Sequence, residues 1–163
     1  MTTATQTRVT PRLINGLRLQ LFIAIILLTI EIVLGISVNL FVKLPAGDKG
    51  TSLFTAFGVA ITSGPVSVAI HAIVGTLIVL ASISVLIRAI TTRRALQIVL
   101  AIIGLIGVLG AWTSGAGFVG DGADSASFSM ATSTALAIAA YATALFALPA
   151  VQAGEPSRPG SLG

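Results

Sequence analysis

Four long apolar stretches, separated by short polar or glycine-rich breaks, run along most of this chain. They lie near residues 14–42, 66–90, 95–114 and 127–149. Each is long enough to cross about 30 Å of hydrocarbon at about 1.5 Å per residue, which predicts four transmembrane helices. Thr10-Pro11 reads as an N-cap followed by proline at the first helical position. The first run is not expected to be a cleavable signal peptide. Its apolar core from Leu19 to Val42 exceeds an h-region, and no small-x-small site with a polar exit follows. The turn at 91–94 is so short that the second and third spans must be antiparallel neighbours.

The two remaining connections differ in kind. After the first span, Leu44-Pro45-AGDKG breaks the helix, and TSLFTAFGVAITSG then places apolar side chains at Leu53, Phe54, Phe57, Ala60 and Ile61. That spacing predicts a short amphipathic helix in the outer interface, lying over the end of the bundle. Ser63-Gly64-Pro65 is expected to cap and start the second span. The stretch from Ser114 to Phe128 is glycine-rich and acidic, and predicts a flexible connection. It has neither a GxGxxG pattern after a strand nor a P-loop lysine, so nothing there cradles a phosphate.

Composition narrows the class. Of 163 residues, 55% are hydrophobic and 9% charged, with a mean hydropathy of +1.05, whereas a soluble domain carries about a quarter charged residues. No soluble domain is left over. Residues 1–10 and 151–163 are expected to be disordered cytoplasmic tails flanking one membrane domain, 11–150. The net charge of +4 is unevenly spread. Arg8, Arg12 and Arg18 precede the first span, and Arg88, Arg93 and Arg94 crowd the turn after the second, while Lys43, Lys49, Asp48, Asp121 and Asp124 lie opposite. This positive-inside pattern puts both termini in the cytoplasm. The basic residues are topology signals near anionic lipid headgroups, and no nucleic-acid partner is expected. The absence of cysteine excludes disulfides, thiolate catalysis and cysteine-ligated metal. The expected fold is an all-α integral membrane protein: a four-transmembrane-helix antiparallel bundle, with N- and C-termini cytoplasmic and an interfacial helix in the first outer loop.

Polar residues inside the spans are the candidates for chemistry, because an unpartnered polar group costs several kcal/mol at that depth. Glu31, Gly35 and Asn39 form a stripe on the first span, read as facing the bundle. The second span carries Ser67, the lone histidine His71, Gly75, Ile78 and Ser82 on one side. Ser67 and Gly75 leave room beside the imidazole for a neighbouring helix or a flat cofactor. The third span has Gly104, Gly107 and Gly110, a smooth face for close helix contact, and Trp112, which reads as an interfacial anchor. The fourth carries Met130, a soft thioether, and Tyr141 on the same side. His71 and Met130 both follow helix starts at the outer side, so they are expected at similar depth on diagonal helices.

His71-AIVGTLIVLASISVLI, the basic turn Arg93-Arg94 and LQIVLAIIGLIGVLGAWTSG resemble one four-helix half of the haem A synthase family, over roughly residues 65–148. The resemblance implies a haem-facing residue near the outer start of the second and fourth helices. Where that family has its second histidine, this chain offers Met130, Ser127 or Ser129, and Asp48 is the only carboxylate in the outer loop from 43 to 64. The synthase activity therefore does not carry over. The chain is also similar to a group of short bacterial multi-pass membrane proteins, which implies a bacterial plasma membrane. On this reading His71 and Met130 ligate the iron of haem b near the outer face, in a redox-associated or haem-handling role without a catalytic residue. Gly75 and Ser67 line the haem, Glu31, Asn39 and Tyr141 tune the pocket, and Lys43 or Lys49 meet the propionates. The alternative is a cofactor-free accessory subunit. Glu31 and His71 then form a polar clasp, and Gly104, Gly107 and Gly110 dock a membrane-protein partner or a second copy. A proton-coupled transporter component fits less well, because interrupted helices are missing.

Overall fold

The computed structural model describes residues 11–42, 52–121 and 124–150. Those residues form five α-helices and no strand: α1 (Pro11–Phe41), α2 (Leu53–Thr62), α3 (Val66–Thr92), α4 (Ala95–Asp121) and α5 (Asp124–Phe146). All but α2 are long and apolar enough to cross a bilayer. The chain is thus a multi-pass α-helical membrane protein.

A seam of about 3.5 residues per repeat explains how these helices pack. The buried positions of α1 are Ile14, Leu17, Leu21, Ala24, Leu28, Gly35 and Val38, stepping by three and four, with Glu31 in the one gap. On α3 the seam is Val68, Ile78, Ser82, Val85, Ala89 and Thr92, and the gap holds His71 and Gly75. On α5 it runs back from Leu148 through Ala144, Tyr141, Ala137 and Thr134 to Met130. This repeat keeps one stripe of each helix turned toward its neighbours in a near-antiparallel bundle. Lipid is as apolar as leucine, so close packing and interhelical hydrogen bonds, not water exclusion, hold such helices together. α1 packs on α3 and α5, and α4 fills the fourth corner between α3 and α5. α3 and α5 are therefore diagonal, as expected.

Half of the interior is densely filled. The core there is built from Leu17, Leu21, Leu28, Ile78, Val85, Val108, Ala137 and Tyr141, among others. Polar clasps tie its arginine-rich end: Arg18 donates to the Pro149 carbonyl at 2.8 Å, Gln20 to Ser84 Oγ at 2.7 Å and Gln97 to the Ala144 carbonyl at 3.1 Å. The turn between α3 and α4 is made by Arg93 at φ 54°, whose N–H donates to the Ile90 carbonyl. This is a left-handed helix cap usually given to glycine. A second small cluster of Val38, Ala60 and Val68 closes the opposite end.

Three sequence expectations change. α4 does not end near 114 but continues to Asp121, taking in residues expected to be a flexible loop. Small residues make this workable: Ser114 Oγ meets Ser129 Oγ at 2.9 Å, Ala116 is buried, and Gly115 lets the Met130 sulfur approach. The glycine face of α4 is covered from within the chain. A Cβ on Gly104 would strike the Tyr141 ring, and one on Gly107 would stand 2.7 Å from the Ser133 carbonyl oxygen. That face is the seat of α5 and offers no surface for an outside partner. Finally, Ser63 does not cap the second span: it ends α2, its N–H bonding to Val59, and Pro65 takes the N-cap position of α3.

α2 forms as expected, capped by Ser52, whose hydroxyl accepts from the Thr55 N–H. Its inward side carries the small residues Ala56 and Ala60 together with Phe57. Ala56 and Ala60 are buried, whereas Phe54 points outward at 80% exposure. α2 thus lies flat against α3 and α4 over the end of the bundle.

Candidate functional site

Between the two filled clusters the seams carry small or polar residues, and the interior is open. The cavity measures about 180 Å³. α1 contributes Glu31 and Gly35, α3 His71 and Gly75, α4 Trp112 and Gly115, and α5 Met130 and Thr134, with Phe57 and Ala60 of α2 above. Every one of the five helices therefore supplies part of the wall. The lining is mostly apolar. Its exposed members, Ile36 and Asn39 of α1 and Ala131 of α5, mark an opening on the flank of the bundle between those two helices. An opening there, within two spans, faces lipid.

The polar focus is one pair. His71 Nδ1 lies 2.9 Å from Glu31 Oε1, with side-chain exposures of 17% and 13%. The distance is that of a charge-assisted contact, but Nδ1 lacks a hydrogen bond of acceptable angle, so the ring is near the carboxylate without being well aligned to it. A small ring rotation aligns the two and leaves the distance unchanged. Glu31 Oε2 is buried with no donor. A buried acceptor left so costs about 1–3 kcal/mol unless something outside the chain supplies a proton donor. Among the side chains described, Glu31 is the only carboxylate.

Glycines make the pair possible. A Cβ on Gly75 would stand 2.9 Å from Glu31 Oε1, so only glycine at 75 leaves the carboxylate its place. A Cβ on Gly35 would meet His71 Cε1 at 3.2 Å, the Met130 methyl at 3.5 Å and His71 Nε2 at 3.6 Å. The far edge of the imidazole and the end of Met130 thus converge on Gly35 from diagonal helices. With Nδ1 turned to the carboxylate, Nε2 is the nitrogen left for a ligand.

The other sequence candidates are placed as follows. Asn39 is exposed at the mouth rather than inside, because eight residues advance about 80° round the helix while seven advance only about −20°, which puts Val38 on the seam instead. Ser67 is exposed and outside the cavity lining; the seam passes through Val68. Tyr141 is fully buried in the filled half, wedged against Gly104 and beside Ser82, so it takes no part in the pocket. Lys43, Lys49 and Asp48 lie outside the described residues.

Trp112 is the residue the sequence misplaces most. It turns inward, its ring 5.1 Å from that of Phe57, and its Nε1–H donates to Thr76 Oγ1 at 3.3 Å. Thr76 in turn donates to the Ala72 carbonyl. A lone tryptophan near a span end reads as an interfacial anchor; here Phe57 of α2 and Thr76 of α3 both meet the indole inside the bundle. Phe57, Thr76 and Gly115 were likewise invisible as site residues.

Fold and site together define a small multi-pass helical membrane protein with a buried Glu–His pair in a lipid-facing cavity. Comparison with protein-family models, with curated proteins and with solved structures finds no match.

Proposed function

We propose that the protein binds a ring-sized lipophilic molecule drawn from the bilayer into this cavity, with His71 and Glu31 as its polar contacts. The observation that carries the reading is the cavity itself: about 180 Å³ of space, open on its flank, in a bundle whose seams are otherwise packed. An apolar cavity of about 150 Å³ is enough to bind benzene, whereas drug-sized ligands occupy about 300–1,000 Å³. The site therefore suits one ring, or two fused rings reaching into the opening. Both ends of the chain lie in the cytoplasm on this reading, by the arginine distribution, which puts the cavity in the outer half of a bacterial plasma membrane.

The experiment is a thermal melt of detergent-purified protein with and without toluene. An upward shift that saturates with toluene, and that is lost in Gly35→Leu, is the expected result. Unchanged melting at toluene saturation would remove the reading.

A second reading is haem b, favoured by the convergence of His71 Nε2 and Met130 on Gly35 from diagonal helices. The donor set suits it: an imidazole with a carboxylate 2.9 Å from its Nδ1, and a thioether. The room is smaller than four pyrroles need, so this reading requires α1 and α5 to part at the opening. A visible spectrum after expression with ample haem distinguishes the two. A Soret band that disappears in His71→Ala supports haem, and colourless protein from such cells rules it out.

A further inference from the structure

We infer that the ring this cavity accepts is the head group of a membrane quinone or its quinol. The inference rests on the cavity reading above and adds the chemistry of the ligand. Four observations carry it together. The first is size: about 180 Å³ holds a substituted six-membered ring. The second is access. The mouth between α1 and α5, at Ile36, Asn39 and Ala131, opens on the flank where hydrocarbon lies, so a tail attached to the ring stays in lipid while the ring is inside. A water-soluble ligand gains nothing from such a door.

The third is the pattern of polar atoms. Apart from Thr134, Ser127, Asn39 at the mouth and the indole N–H already given to Thr76, the polarity of the wall is concentrated in Glu31 and His71. Glu31 Oε2 is fully buried without a partner among the described residues, and His71 Nε2 lies on the Gly35 side of the ring, away from the carboxylate. A ligand that satisfies them needs oxygen on the ring, able to donate in one form and accept in another. An imidazole nitrogen accepts in one tautomer and donates in the other, so Nε2 can take the O–H of a quinol or give its own N–H to the carbonyl of a quinone. The fourth is the aromatic and sulfur lining: Trp112, Phe57 and Met130 surround the space, soft apolar surfaces that pack on a ring face.

The test uses a reporter already in place, since Trp112 is the only tryptophan of the chain and lines the cavity. The protein is reconstituted in quinone-free phosphatidylcholine nanodiscs and titrated with a decyl-substituted benzoquinone, a quencher of indole fluorescence. Decylbenzene, with the same tail and a ring without oxygen, is the competitor. Saturable quenching is expected, resistant to equimolar decylbenzene, and weakened about tenfold or more in both His71→Phe and Glu31→Gln, the loss of about 1.4 kcal/mol or more that one hydrogen-bonded contact gives. Saturable quenching that decylbenzene relieves at equal concentration leaves the ring cavity standing and overturns the quinone assignment. This comparison needs no variant. Quenching that only rises linearly with the quinone in the membrane overturns the assignment as well, and if toluene also fails to shift the melt, the cavity reading falls with it.

Discussion

Glu31 and His71 each look out of place in a lipid-spanning helix, and they are in place because they meet. Removing one partner leaves the other in a mostly apolar wall, while removing both restores an ordinary seam. We therefore expect Glu31→Leu and His71→Leu each to destabilise by about 1–3 kcal/mol, and the double variant to be less destabilised than their sum by about 1 kcal/mol or more. Unfolding of the four proteins in a double-mutant cycle measures this; additive losses would show that the 2.9 Å contact contributes nothing. Gly75 belongs to the same unit. Its replacement by alanine puts a methyl 2.9 Å from the carboxylate oxygen, and a neighbour must move. The atom displaced is the end of a side chain, so Gly75→Ala should cost little stability while shifting the carboxylate and weakening ligand binding, read as a smaller toluene-induced rise in the melting temperature. The identity of both polar residues was legible from the sequence, since an ionisable group at that depth asks for a partner. Their contact was not, because two stripes on two helices leave rotation and relative height undecided.

At the scale of elements, the α4–α5 pair is the tightest in the bundle, and its glycines differ in what a methyl would meet. At Gly107 the obstacle is backbone, the Ser133 oxygen at 2.7 Å and the Ala137 nitrogen at 3.0 Å, which cannot turn aside. At Gly110 it is the Ser133 hydroxyl at 3.0 Å, and at Gly117 nothing lies within 4 Å. Alanine substitution should therefore cost most at 107, less at 110 and nothing measurable at 117, with about 1–3 kcal/mol at the first. Thermal melts of the three variants in one detergent rank them, and an equal effect at 107 and 117 would contradict the packing described. The sequence marks Gly104, Gly107 and Gly110 as a contact face, and they are one. Which helix sits there was open, and Tyr141, read as a pocket residue, turns out to be what fills the space beside Gly104. The extension of α4 to Asp121 was hidden for a related reason: glycines that argue for a loop in water permit close helix packing when a neighbour is present.

For the whole molecule, the orientation proposed above rests on charge. The arginines at 18, 88, 93 and 94 gather at the filled end of the bundle, and Ser63 lies at the opposite end with the cavity. The chain has no cysteine, so single reporters are clean. Arg94→Cys should react with an impermeant maleimide only in inverted vesicles, and Ser63→Cys only in right-side-out ones, one arginine being too few to reverse the topology. The opposite labelling would place the cavity on the inner side. By itself the sequence determined four helices, their antiparallel order, the arginine asymmetry and the two ionisable residues within spans, because span length, hydropathy and charge are local properties that a bilayer enforces on each segment separately. Only the tertiary structure decided that Glu31 touches His71, that Trp112 faces inward under α2, that Tyr141 plugs the α4 glycine face and that a cavity remains between two packed layers. Those depend on how far each seam is rotated and slid against its neighbours, which is settled by the fit of many side chains at once and is written in no single helix.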